Sequence, residues 1–192
     1  MGMLILGLVI FLGMHSTRIV ADEARGRFIA QRGLNAWKGL YALVSIAGFV
    51  LIVWGYGQAR LQPVVLWPSP AWTRHLAALL TIPAFVLLVA AYVPRNAIKA
   101  RLHHPMVLGV KVWALAHLLA NNTLADLLLF GGFLAWAVAS FTAARKRDNA
   151  AGVVYLRGHA GPTVAVVVAG GAAWAGFAFW AHAAWIGVRP FG

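Results

Sequence analysis

The chain has 192 residues; 62% are hydrophobic and only 10% charged, where a soluble domain would carry about 25%. Sixteen Lys and Arg against four acidic residues leave a net charge of +12, and there is no cysteine. This composition excludes a soluble globular domain, and the missing thiols exclude disulfides, iron–sulfur clusters and thiolate ligands.

Apolar runs of roughly twenty residues recur along the whole length, each long enough to cross a bilayer as a helix. Barrel strands would alternate apolar and polar residues, and these runs do not. The pattern predicts an all-α integral membrane bundle of about six helices in one domain, residues 1–192. The first span covers about residues 2–20 and opens with "MGMLILGLVIFLGMHS". It has no basic leader and no A-x-A-like cleavage site after it, so it reads as a retained helix. A loop rich in arginine leads to the second span, about 37–57. The third, about 72–93, carries Pro83 near its centre and is expected to kink there. The fourth is short, about 105–120. A tight turn, "ANNTLAD", leads to the fifth, about 123–143. Asn122 or Thr123 can cap it, and Asp126 lies three residues after Thr123, close to a capping-box arrangement. A structural role for Asp126 is therefore preferred over a catalytic one. The sixth span covers about 162–186, and its Gly170, Gly171 and Gly176 permit close helix contact.

The basic residues sort by loop. Arg18, Arg25, Arg27, Arg32, Lys38, Arg95, Lys99, Arg101, Arg145, Lys146, Arg147 and Arg157 fall at one set of ends. Only Arg60, Arg74 and Arg189 fall at the other, and Lys111 lies inside a span. The positive-inside rule puts the first set in the cytoplasm and both termini on the far side of the membrane. The net charge thus reads as topology and contact with anionic lipid, with no nucleic-acid module in view. Trp37, Trp67, Trp72, Trp180 and Trp185 look like an interfacial belt, while Trp54, Trp113, Trp136 and Trp174 sit deeper.

Six spans give each histidine a height. His15, His103, His104 and His159 belong to the cytoplasmic layer; His75, His117 and His182 belong to the far one. His104 and His117 are about 20 Å apart along one helix, so they cannot share a metal ion. His75, His159 and His182 are read as reaching water or headgroups. His103 is expected to be the exposed member of its pair, because His104 precedes Pro105 at a helix start. His15 lies within an apolar span, where an ionisable residue marks a functional site by default. Carboxylates are nearly absent, which disfavours di-iron and hard-cation sites. Histidine-only ligation suits zinc, copper or haem. Haem b is an apolar disc whose anionic propionates would seek Arg18 or Arg101. Lys111, two turns after His104 on nearly the same face, would neutralise an anion deeper in the bundle or snorkel to the surface.

The stretches "LGLVIFLGMHS", "LYALVSIAGFVLIVWGYGQAR", "PAWTRHLAALLTIPAFVLLVAAYVP", "HHPMVLGVKVWALAHLLAN" and "LADLLLFGGFLAWAV" resemble the NnrU family of bacterial membrane proteins. The resemblance implies a link to nitrite and nitric oxide reduction. That family is in turn similar to 15-cis-zeta-carotene isomerase, a membrane enzyme that holds haem b through histidines. By this likeness "MHS" points to His15, "HHP" to His104 and "LAHLL" to His117, with His103 where the isomerase has arginine. The likeness implies haem b on His15 and His104, with His117 as a further site residue; Lys111, by its position two turns after His104, is another candidate. The partners expected are the lipid bilayer and an apolar small molecule or a redox partner. A haem-dependent isomerase of an apolar polyene is one alternative. A cofactor-free assembly or regulatory factor for nitric oxide reductase is another. The "HPMVLG" segment is also similar to isoprenylcysteine-type methyltransferases, but no glutamate follows Glu23 to complete such a site.

Overall fold

A computed structural model describes residues 1–191. Among these the chain is helical, and the two backbone bridges, Val65 with Thr123 and Asn96 with His159, are isolated. The helices are α1 (Gly2–His15), α2 (Thr17–Val20), α3 (Asp22–Arg32), α4 (Leu34–Ala59), α5 (Trp72–Tyr92), α6 (Ala97–Leu102), α7 (Pro105–Ala120), α8 (Leu124–Ala150), α9 (Ala160–Gly176) and α10 (His182–Ile186). A π turn, Phe177–Ala181, joins α9 to α10. Four stretches are long and apolar enough to cross a membrane: Leu34–Ala59, Trp72–Tyr92, Leu124–Ala150 and Ala160–Ile186. Two further apolar helices, Gly2–His15 and Pro105–Ala120, are shorter.

Three boundaries differ from the sequence expectation. The first span does not run on to residue 20; it stops at His15. The Ser16 hydroxyl bonds Leu12 O and the Thr17 hydroxyl bonds Met14 O, and such local side-chain bonds compete with the helix. The arginine-rich connection is not a loop but helix α3, with Asp22 and Glu23 in its first turn and Arg32 in its last. Those charges complement the helix dipole, which an apolarity scan does not weigh. The fifth span continues seven residues past 143, so Asp148 stands on a helix rather than in a loop.

The bundle is assembled by neighbours in sequence and by α8. Helix α1 packs on α4, α4 and α1 reach α8, α8 packs on α7, α7 on α5, and α5 on α9. Lipid tails are as apolar as leucine, so close van der Waals contact holds these pairs together rather than hydrophobic transfer. Glycines make the closest approach, but not mainly the ones expected. Gly48 and Gly55 of α4 lie seven residues apart on one face and admit the backbone of α1 at Phe11 and Leu4; Gly7 of α1 does the same for Ile52. Gly170 meets Val86, while Gly171 and Gly176 face open space. Leu4, Leu8, Ile52, Ala125, Leu129 and Phe130 form the buried core between α1, α4 and α8.

The two ends of the bundle are built differently. At the basic end Asn96, 1% exposed, ties the end of α5 to the start of α6. Its amide donates to Ala90 O and Val93 O, and its Oδ1 caps α6 at Lys99 N. At the opposite end the connection after α4 folds onto the α7–α8 turn: Leu66 N donates to Asn122 O and Leu124 N to Val64 O. Thr123 caps α8 in a full capping box with Asp126, as the sequence implied, and Asn122 instead bonds Trp67 O.

Candidate functional site

The histidine helices carry three distinct clusters. The first surrounds His104, the N-cap of α7, with Pro105 in the first turn. Its Nε2 lies 2.8 Å from Asp148 Oδ2 near the end of α8, within ion-pair distance but not aligned as a hydrogen bond. The same carboxylate oxygen accepts the Tyr155 hydroxyl. Burial and that hydrogen bond push the Tyr155 phenol up to about 12. His103 is not the exposed member of the pair. Its ring stacks on Tyr155 with centroids 3.8 Å apart, and its Nδ1 is buried without a partner. The reason is backbone: His103 sits at φ 68, ψ −87, a reversal that turns its side chain under the loop. A non-glycine residue there is strained by about 1–3 kcal/mol, and such strain gathers at functional sites. Phe141 of α8 faces His104 edge-on at 6.1 Å, and the Lys111 ammonium rests 4.2 Å from the centre of the same ring. The partner of Lys111 is therefore an aromatic face, the cation–π arrangement that suits a charge held away from water.

The second cluster surrounds His15, the last residue of α1. Its Nδ1 is 2.7 Å from Phe11 O, one turn back, which fixes the ring and leaves Nε2 free. The ring stacks on Phe11 at 4.1 Å and meets Tyr41 of α4 at 5.0 Å and Trp136 of α8 at 5.9 Å. The Trp136 indole N–H is buried with no acceptor. An unpaired indole in an apolar site costs about 1–3 kcal/mol, so this place has an unmet need for an acceptor. Ser45 Oγ of α4 is likewise buried and unpaired.

The third cluster is at the opposite end. His117 places Nδ1 2.8 Å from Trp113 O and stacks on Phe130 at 4.7 Å. Asp126, 6% exposed, does more than cap: Tyr56 of α4 donates to its Oδ1 at 2.5 Å while Thr123 holds Oδ2. Sequence reasoning missed Tyr56, since nothing in its spacing links residue 56 to residue 126. His182 anchors on Val188 O. His75 and His159 are exposed, as expected.

The structure does not bring the rings of His15 and His104 together; both approach α8, one at Trp136 and the other at Phe141 and Asp148. Trp54, expected to lie deep, is 54% exposed on the outer face of α4. Arg18 pairs with Asp22 at 3.6 Å, and Arg101 lines a cleft with Arg157 between α6 and α9. Among the described residues no group of three or more His, Cys, Asp or Glu is placed to hold a metal ion. Haem asks for less, one or two nitrogen donors. The donor chemistry fits that need: His15 offers Nε2 with Nδ1 oriented by a carbonyl, and His104 offers Nδ1 with Nε2 facing a carboxylate. Metal-ligating histidines are held in this way through the other ring nitrogen.

The family described as NnrU protein matches residues 3–190, nearly the whole chain. No curated protein and no solved structure matches.

Proposed function

The chain belongs to the NnrU family, and from that premise we propose that it is a haem b protein of the bacterial inner membrane acting in redox or nitrogen-oxide-linked metabolism. In this reading the chain is one domain that spans the bilayer six times, α1 and α7 completing the count, with its basic end cytoplasmic and both termini periplasmic. The sorting of the basic residues supports that sidedness. The observation that carries the haem reading is His15: an imidazole ending an apolar helix, held through Nδ1, with Nε2 free and aromatic rings around it. His104 is the proposed second ligand, reached by release of its Asp148 contact or through Nδ1. Haem iron would supply one-electron chemistry there. The residues of the chain orient the donors, exclude water with Phe11, Tyr41 and Trp136, and offer Lys111 as a half-buried cation for an anionic edge.

The same histidine and aromatic surroundings would serve an isomerase acting on an apolar polyene, with lipid as the route of entry. A cofactor-free assembly or regulatory factor is favoured by a different observation, the engagement of His104 with Asp148, which gives that histidine a structural task. One measurement separates these. Protein purified in detergent from haem-replete cells is expected to show a Soret band, with sharp α and β bands on reduction. His15→Ala and His104→Ala should each change that spectrum. A colourless protein sinks the haem and isomerase readings together. A spectrum that responds only to His117→Ala moves the site to the opposite end.

A further inference from the structure

We infer that the basic cleft between α6 and α9 is a binding site for the phosphate headgroup of an anionic phospholipid. The cleft has a volume of about 610 Å³ and is lined by Ala97, Ala100 and Arg101 of α6, Tyr155, Arg157 and Gly158 of the connection, and the start of α9 through Thr163 and Val164. Its walls are fixed. His159 N donates to Arg95 O at 2.8 Å, and Ala97 N donates to the Thr163 hydroxyl at 2.8 Å. Gly158 lies so close to the backbone of Asn96 and Ala97 that a Cβ there would collide with it. The junction between the start of α6 and the start of α9 is therefore held by hydrogen bonds and close backbone contact.

Two arginines, Arg101 and Arg157, line this one cleft, and among the described residues neither is paired with a carboxylate. Paired arginines suit an oxyanion with several acceptor oxygens, above all phosphate. What selects a lipid over a free phosphate is the apolar surface beside them. Val164 lines the cleft and is 61% exposed, and Val167 and Val168 continue the same face of α9 at 49% and 65%. That spacing of three and four residues makes one stripe running from the headgroup position into the bilayer. In the connection that carries Tyr155 and Arg157, Val154 is 83% and Leu156 79% exposed. A ligand that satisfies cleft and stripe together has a phosphate at one end and acyl chains at the other. This inference is independent of haem.

The test uses the full chain in detergent, with native mass spectrometry of bound lipid. Phosphatidylglycerol should bind and phosphatidylcholine should bind more weakly. Each arginine near an anionic lipid is worth about 1 kcal/mol, or roughly fivefold in affinity. Arg101→Ala with Arg157→Ala should therefore weaken phosphatidylglycerol by about 25-fold. A control pair at the same end but outside the cleft, Lys38→Ala with Lys146→Ala, should leave that adduct within about twofold, since both are exposed on other elements. Arg101→Lys with Arg157→Lys keeps the charge and guards against loss of fold; it should bind with intermediate affinity. Equal binding of the two lipids, or equal losses in the cleft and control pairs, overturns the site. Displacement of the lipid by low inorganic phosphate overturns the lipid assignment.

Discussion

Asp126→Ala tests how the opposite end of the bundle is held. The carboxylate makes two separable contributions. It completes the capping box with Thr123, whose loss costs about 1 kcal/mol. It also accepts the Tyr56 hydroxyl at 2.5 Å, and without it that hydroxyl is stranded between helices, at about 1–3 kcal/mol. The sum is about 2–4 kcal/mol, a fall in Tm of roughly 5–15 °C for a chain of this size. The assay is unfolding in detergent followed by far-ultraviolet circular dichroism, run as a double-mutant cycle with Tyr56→Phe. Because Tyr56 is on α4 and Asp126 on α8, two helices that otherwise scarcely touch, the cycle isolates one bond. A coupling of at least about 1 kcal/mol is expected. Additivity within about 0.5 kcal/mol would refute the reasoning, because the two side chains would then be stabilising their own helices separately.

Gly55 and Gly57 are two residues apart on α4, but a Cβ at Gly55 would run into the Leu4 backbone while Gly57 faces open space. Gly55→Ala should destabilise by about 1–3 kcal/mol and Gly57→Ala should be neutral or stabilise by up to about 1 kcal/mol in the same unfolding assay; equal effects would contradict the α1–α4 packing. The Tyr155 phenol stands at about 12 against an ordinary 10.0, through burial first and its bond to Asp148 second. Its folded value is raised, so the stabilisation is complete below about pH 10 and is lost as pH rises towards 12. The phenolate absorbance missing from Tyr155→Phe should titrate near 12, and Asp148→Asn should move it towards 10; a parent midpoint at 10 would rule out the pairing.

What the sequence made legible were the features set by local rules. The apolar runs placed α5 and α7 to within a residue, because a helix in lipid must satisfy its own backbone and its ends are marked by Pro105 or by aromatics. Thr123 and Asp126 revealed the cap because both partners lie within one turn. Features set by distant partners were not legible. The Tyr56–Asp126 bond spans seventy residues. The seat of His103 depends on a positive φ that no propensity would assign to histidine, and on Tyr155 arriving from another element. The glycines at 48 and 55 carried a seven-residue spacing that could have marked the contact with α1, whereas the denser glycines of α9 drew attention and mostly face outwards.

The clusters also rank the histidines by what each must give up to act as a ligand. His15 and His117 are built alike: Nδ1 is tied to the carbonyl one turn back, the ring lies on an aromatic face, and Nε2 is free. For either, ligation costs no existing bond. The two sites are also in contact through aromatic rings, His15 on Phe11, Phe11 at 5.7 Å from Phe133, Phe133 at 5.6 Å from Trp113, and Trp113 at 5.1 Å from His117. His104 differs. To present Nε2 it must release Asp148, which also holds Tyr155 and, through it, the ring of His103. Ligation through Nε2 of His104 is therefore coupled to the connection that carries Arg157, whereas ligation at His15 is not. Replacing Asp148 with Asn separates the two: it should free His104 and alter a spectrum that depends on it, while leaving one that depends on His15 alone unchanged.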